Sequence, residues 1–220
     1  MEENFQSETE RLSYIVAITG ASGAIFGFSL LKALINHSYF VYLIISKAGF
    51  KVIKDELRMF VNLDTSGNLI NLSDKIKDEI VNKFEIYNDR FAFLDEMFLE
   101  AKIASGSAKQ VKGMVIIPCS MGSVSRIACG NSGNLIERAS DVMLKERKKL
   151  IICPRETPFN DIHLKNMLSL TNSGAVILPP IPAFYNKPQS IDDVISFITG
   201  KILDNLGVEN DIYMRWKGYD

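Results

Sequence analysis

The densest group of chemistry-bearing residues near the amino terminus is Thr19-Gly20-Ala21-Ser22-Gly23-Ala24. It follows a short apolar run and opens a helix-period stretch, so its small residues make a turn whose backbone N–H groups are free to meet an anion. A second small, hydroxyl-rich loop, Pro118-Cys119-Ser120-Met121-Gly122-Ser123, stands in the same relation to a later apolar run and helix. Two such loops on one sheet edge suit a phosphate and the ring system beside it. Neither is a GxGxxG fingerprint or a GxxxxGK loop, and Ile45 is followed by Ser46 and Lys47, not by an acid that would hold a ribose. Dinucleotides and ATP are therefore disfavoured. The first loop alone also serves as a plain strand-to-helix turn, because short glycine motifs recur without ligands.

Arg138 and Lys145 lie seven positions apart in a helix-period stretch, two turns and nearly one azimuth, so both project from one face. With Glu137, Asp141, Glu146, Arg147 and Lys148 around them, that face also reads as ordinary solvated charge. Arg155 and Glu156 follow another apolar run, where a carboxylate can move a proton or simply pair on the surface. Ser22 is a hydrogen-bonding residue rather than a nucleophile, since GASGA is not GxSxG and no histidine is placed to activate it. His37 and His163 sit in no metal-binding spacing, and Cys119, Cys129 and Cys153 form neither a CxxC pair nor an even set. No metal site is expected.

These residues need a scaffold, and the apolar runs describe one. Residues 14–18, 41–45, 114–117, 150–153 and 175–178 are short, rich in Val and Ile and not alternating, as strands buried on both faces are. Helix-period stretches at 24–35, 48–61, 134–146 and 162–170 alternate with them. The fold class is α/β, a three-layer sandwich with a Rossmann-like parallel sheet flanked by helices. Residues 62–90 are polar, with a helix predicted over 72–84 and an extended piece at 84–87. Pro179, Pro180 and Pro182 force an extended turn. Ser190 followed by Asp192 and Asp193 predicts a helix start, with the end at Leu206 and a stop at Gly207. The tail beyond carries Tyr213, Trp216 and Tyr219 and is expected to dock. Its Tyr213 to Lys217 spacing is the only TyrxxxLys match, in the wrong context for a short-chain dehydrogenase.

The whole chain, 1–220, reads as a single domain, with the tail from about 207 used in oligomer contacts. Its 25 Lys and Arg against 26 Asp and Glu leave no electrostatic footprint for nucleic acid. No apolar run approaches the roughly 18 residues needed to span a bilayer, and the polar, acidic MEENFQSETER is unlike a signal peptide. A cytoplasmic location with no membrane partner is expected.

Across ITGASGAIFG (18–27), ISKAG (45–49), IIPCSMGS (116–123), the block from NLIERASDVMLKER to HLKNML (134–168), GAVILPPIPAFYNKPQSIDD (174–193) and Arg215-Trp216, the sequence resembles the UbiX-type flavin prenyltransferases. These are flavoproteins of the flavin-containing cysteine decarboxylase fold. The resemblance implies transfer of the dimethylallyl group of dimethylallyl phosphate to N5 and C6 of reduced FMN, giving prenylated FMN for a UbiD-type decarboxylase. It implies Gly20, Ala21, Ser22, Ser46, Ser120, Met121, Gly122, Ser123 and Arg138 around FMN, and Lys145, Arg155, Glu156, Tyr185 and Lys201 around the prenyl phosphate. Ser22, Glu56, Lys145, Glu156 and Trp216 would take part in catalysis, Glu56 and Trp216 at subunit contacts. A homododecamer with sites between subunits is implied. Lys201 stands where many members carry Arg, which keeps charge and loses the bidentate fork. No DDxxD occurs, so the transferase is expected to work without a divalent metal. An FMN-dependent cysteine decarboxylase of the same fold and a non-catalytic flavin-binding module are the rival readings.

Overall fold

The computed structural model describes residues 11–64, 69–216 and 218. Residues 1–10, on which the signal-peptide reading rests, lie outside them, as do Lys217 and Tyr219 of the tail.

Six strands form one parallel sheet: β1 (Ser13–Ile18), β2 (Phe40–Ile45), β3 (Phe91–Asp95), β4 (Val111–Cys119), β5 (Lys149–Pro154) and β6 (Val176–Ile177). Their order is β3-β2-β1-β4-β5-β6, so the direction of winding reverses between β1 and β4. The helices are α1 (Ala24–Asn36), α2 (Lys47–Leu57), α3 (Ser73–Phe84), α4 (Met121–Ala128), α5 (Leu135–Lys145), α6 (Asp161–Asn172) and α7 (Ile191–Leu206). Alternate residues of β1 feed two separate cores, which is why the run had to be apolar throughout. Tyr14, Val16 and Ile18 pack with α1, α2, α3 and α7, while Ile15 and Ala17 pack with α4, α5 and α6. The result is the predicted three-layer sandwich.

Helix α7 starts and stops where the sequence predicts. Ser190 and Asp193 form a reciprocal capping box, and Gly207 ends the helix at φ 76°. Helix α2 is shorter than predicted. Arg58 and Phe60 have φ of 54° and 60°, and the chain leaves the helix so that Met59 and Phe60 enter the core, which mimics continued helical periodicity. The extended piece expected at 84–87 is a correction. Phe84 closes α3, Glu85 turns at φ 53°, and the strand comes later, as edge strand β3. Its burial alternates along FAFLD, so it lacks the continuous apolar run used to find the others.

Helix α1 lies close enough to the sheet that a Cβ at Gly27 would stand 2.7 Å from the carbonyl oxygen of Ile117. Where β1 and β4 end side by side, Thr19 joins them. Its N–H and its hydroxyl both donate to the Pro118 carbonyl (3.1 and 3.0 Å), and its Oγ1 accepts from the Ser120 N–H at 2.8 Å. No helix among the described residues is long and apolar enough to cross a membrane.

Thr19 is 1% exposed, so replacing its hydroxyl leaves the Ser120 N–H without its acceptor in a place water barely reaches. Thr19→Val is expected to lower stability by about 1–3 kcal/mol. Urea unfolding would show this as a lower midpoint at unchanged slope, and an unshifted midpoint would mean that the hydroxyl holds nothing.

Candidate active site

The crevice opens at the carboxyl edge of the sheet, over the reversal between β1 and β4. On one side is the turn of Gly20, Ala21 and Ser22. Gly20 must be glycine here, because a Cβ would come 2.5 Å from the Cβ of Ala48 in the first turn of α2. Ser46 caps α2, its side chain accepting from the Gly49 N–H at 3.0 Å. On the other side Ser120 caps α4, accepting from the Ser123 N–H at 3.2 Å, with the two hydroxyls 3.1 Å apart. The N–H groups of Gly20, Ser22, Ala48, Met121 and Gly122 find no acceptor among the described residues. Small side chains, two serine caps and free donors at two helix N-termini make a cradle for a phosphorylated ligand. The FMN-binding set predicted from the sequence is thus brought together here, apart from Arg138.

Two carboxylates already serve the neighbouring N-termini. Glu56 reaches back from α2 to α1 of the same chain and accepts from the N–H groups of Gly23 (3.0 and 3.1 Å) and Ala24 (3.1 Å). Glu96, just past β3, accepts from the Lys47 N–H at 2.7 Å, while its own carbonyl accepts from Leu135 at the start of α5. Burial raises the Glu96 carboxyl above its usual range, the Asp95 charge adds to this, and the Lys47 N–H opposes it. Glu96 borders a cleft of about 480 Å³ with Arg126 and Glu137. Buried Glu137 accepts from the Arg126 guanidinium and the Gly133 N–H, and Arg126 also reaches the Ser123 hydroxyl. Sequence reasoning missed Glu96, because its strand was misplaced, and missed Arg126, which reads as one more surface charge.

The remaining predicted residues fall into separate groups. Arg155 and Glu156 are exposed at the carboxyl end of β5, anchored by the Arg155 N–H donating to Cys119 O. Glu156 accepts from the Thr157 N–H at 3.0 Å. Tyr185 and Trp216 meet edge-on with ring centres 5.6 Å apart, and Tyr185 also meets Phe197 of α7 at 6.1 Å. They line a cleft of about 670 Å³ with Asn186, Lys187, Met214 and Arg215. Lys201 lies one helical turn beyond Phe197 on the same face of α7, next to this aromatic cluster.

Arg138 and Lys145 share one face of α5, as their spacing predicts, and both lean on residues 104–106. Arg138 Nε donates to Ala104 O at 3.2 Å and its guanidinium pairs with Asp141 at 3.1 Å. Lys145 pairs with Glu146 at 2.6 Å beside Gly106. Helix α5 runs antiparallel to the strands and delivers the chain to the start of β5. Six residues of β5 at about 3.3 Å each then put Lys145 roughly 20 Å from Arg155 and Glu156. It is also on the opposite face of the sheet from α7 and Lys201. One chain does not bring these cations together.

A family profile described as Flavoprotein matches residues 2–203. The flavin prenyltransferase UbiX of Halalkalibacterium halodurans is 47% identical over 203 residues, covering 92% of each chain. Among solved structures, AnUbiX (PadA1) in complex with FMN and dimethylallyl pyrophosphate aligns with a TM-score of 0.79 at 34% identity, over 96% of this chain and 100% of its own. A dodecameric FMN-dependent UbiX-like decarboxylase from Escherichia coli aligns at 0.77 and 34%, over 94% and 100%. The crevice between two small-residue loops and near-complete similarity at this level lead to one conclusion: the chain belongs to the UbiX flavin prenyltransferases of the Flavoprotein family.

Proposed function

We propose that this chain binds reduced FMN and dimethylallyl phosphate, joins the dimethylallyl group to N5 and C6 of the flavin, and supplies the product to a UbiD-type decarboxylase. The observation that carries the reading is the cradle at the β1/β4 reversal, whose free N–H groups and serine caps match a phosphorylated ring compound. The solved relative with FMN and dimethylallyl pyrophosphate supports FMN together with a phosphorylated dimethylallyl donor. When bound, reduced FMN supplies the nucleophilic N5 and C6. The N–H groups of Gly20, Ser22 and Ala48 with Ser46 receive its phosphate, and the Ser120–Ser123 turn, with Met121 and Gly122, receives polar ring atoms. Arg155, Lys145 and Lys201 hold the donor phosphate and neutralise the charge that grows on it as the carbon–oxygen bond breaks. Tyr185 and Trp216 present π faces to the electron-poor allyl group. Glu156 takes the proton lost from C6, and Glu56 holds the α1 turn so that Ser22 keeps its place.

A single chain leaves Lys145 and Arg138 on one face of the sheet and Lys201, Tyr185 and Trp216 on the other, so the site is completed by further copies of the chain. The dodecameric relative supports such an assembly. Exposed Ile162, Leu164, Leu168, Ile181, Phe184 and Ile191 supply apolar surface for it.

The assembly is testable by mixing. Lys145→Ala and Lys201→Ala should each raise the donor requirement by about one to two decades while FMN still binds. When the two variants are co-expressed in equal amounts, about a quarter of the sites receive both lysines from intact chains if the lysines come from different copies. Activity at limiting donor should recover to about that fraction, and no recovery would place both lysines in one chain. Glu156→Gln is expected to purify with FMN and turn over slowly, and loss of FMN would remove the proton-acceptor role. Activity with reduced FMN and dimethylallyl phosphate should persist in excess chelator. A strict magnesium requirement would show that the lysines and Arg155 do not do the work assigned to them.

A further inference from the structure

After Gly207 the chain doubles back along α7, and one carboxylate holds it there. Asp204 Oδ2 accepts from the Tyr213 hydroxyl at 2.6 Å and from Arg215 at 3.0 Å. Its Oδ1 accepts from Arg215 at 2.7 Å and from the Asn210 side-chain amide at 2.9 Å. Arg215 also donates to Asn210 O at 3.0 Å and lies over the Tyr213 ring, 5.0 Å from its centre. The Tyr213 ring in turn packs edge-on against Phe197 at 5.3 Å and covers Gly200, where any Cβ would collide with it. The Arg215 bond, with help from Tyr213 and Asn210, holds the Asp204 carboxyl at about 2, while burial and the bond to Asp204 push the Tyr213 phenol up to about 12. Asp204 therefore stays charged and Tyr213 stays a donor throughout the neutral range.

What this clamp delivers is the next residue, Trp216. The indole is 53% exposed and its partner Tyr185 47%, so each ring keeps about half of its surface open. Yet the two rings, with Met214 and Arg215, wall the 670 Å³ cleft. We propose that Asp204 is a positioning residue for the prenyl-donor cleft: through Arg215 and Tyr213 it fixes the tail so that Trp216 stands against Tyr185 and completes the donor's binding wall. The donor part of this statement rests on the function proposed above. The clamp itself does not.

Trp216 is the only tryptophan in the chain, so its fluorescence reports the tail directly. Asp204→Asn keeps the shape of the side chain and removes the ion pair, and Arg215→Gln removes it from the exposed side should the first variant fold poorly. Each is expected to raise acrylamide quenching of Trp216 severalfold and to lower its anisotropy, at unchanged oligomer mass. Each should also raise the donor KM about tenfold, with FMN affinity and kcat at saturating donor nearly unchanged. The double variant should be no worse than either single one, because both break the same pair. Unchanged quenching would overturn the clamp. Changed quenching with an unchanged donor KM would overturn its role in the cleft, and loss of FMN or of oligomer mass would mark Asp204 as a general structural residue instead. A parent protein that transfers no prenyl group would defeat the proposed function, and with it the donor role, while the quenching comparison still decides the clamp.

Discussion

The construction of the site depends on how two paired parallel strands, whose exits lead to opposite faces of the sheet, are kept together at their carboxyl ends. At the reversal between β1 and β4 the chain leaves β1 toward one face and β4 toward the other, which opens the crevice and would equally let it gape. Thr19 prevents this by spending its N–H and its hydroxyl on the neighbouring strand's exit, and by accepting the first N–H of the next loop. The Arg155 N–H on Cys119 O repeats the device between β4 and β5. With the strand ends fixed, the two ligand loops are held at a constant separation by buried hydrogen bonds rather than by the ligand. Breaking a buried bond of this kind strands a polar group, so the arrangement is stiff.

The same edge gathers several helix N-termini, each carrying partial positive charge. The chain answers them in two ways. Where a carboxylate of its own is in reach, as Glu56 is for α1 and Glu96 is for α2, it neutralises part of the turn and fixes how neighbouring elements meet. Serine caps at Ser46, beside Glu96, and at Ser120 take one N–H each, and the N–H groups of Ala48, Met121 and Gly122 stay available. This division explains why the glycine turn keeps free N–H groups next to a helix whose own terminus is already satisfied by Glu56. Burial works against the charge on Glu96, and its bond to Lys47 ties the Ser46 turn to β3 and, through the Leu135 contact, to α5.

Electrostatics also bears on the assembly. Cations that would hold a donor phosphate repel one another, and a single small domain that packed Lys145, Arg155 and Lys201 into one cavity would be strained whenever the donor was absent. Keeping Lys145 on the α5 face, paired with Glu146, and Lys201 on the α7 face avoids that strain within one chain and leaves each partly solvated. The tail acts on the α7 side in a related way, because Asp204 anchors Arg215 and so keeps that cation beside the aromatic cleft wall without letting it move freely.

The amino-acid sequence alone determined the layered α/β scaffold, because strands buried on both faces must be continuously apolar and the helices between them must be amphipathic. It also determined the two loops, since only small residues and serine suit a helix N-terminus that receives a ligand, and the limits of α7, whose capping box and terminal glycine are local signals. Whole-chain similarity carried the family assignment further than any one motif, while Arg138 and Lys145 stand paired with Asp141 and Glu146 as their charged neighbours suggest. Tertiary structure alone decided where Glu96, Arg126 and Asp204 are held, because Lys47, Glu137 and Arg215, their respective partners, come from other elements and no spacing rule links them. It alone corrected β3, an edge strand whose alternating burial hides it, and the end of α2, where Met59 and Phe60 enter the core from a turn. It alone separated Lys145 and Lys201 onto opposite faces of the sheet, because the face on which a helix lands is set by the handedness and order of the crossovers and not by the residues that the helix carries.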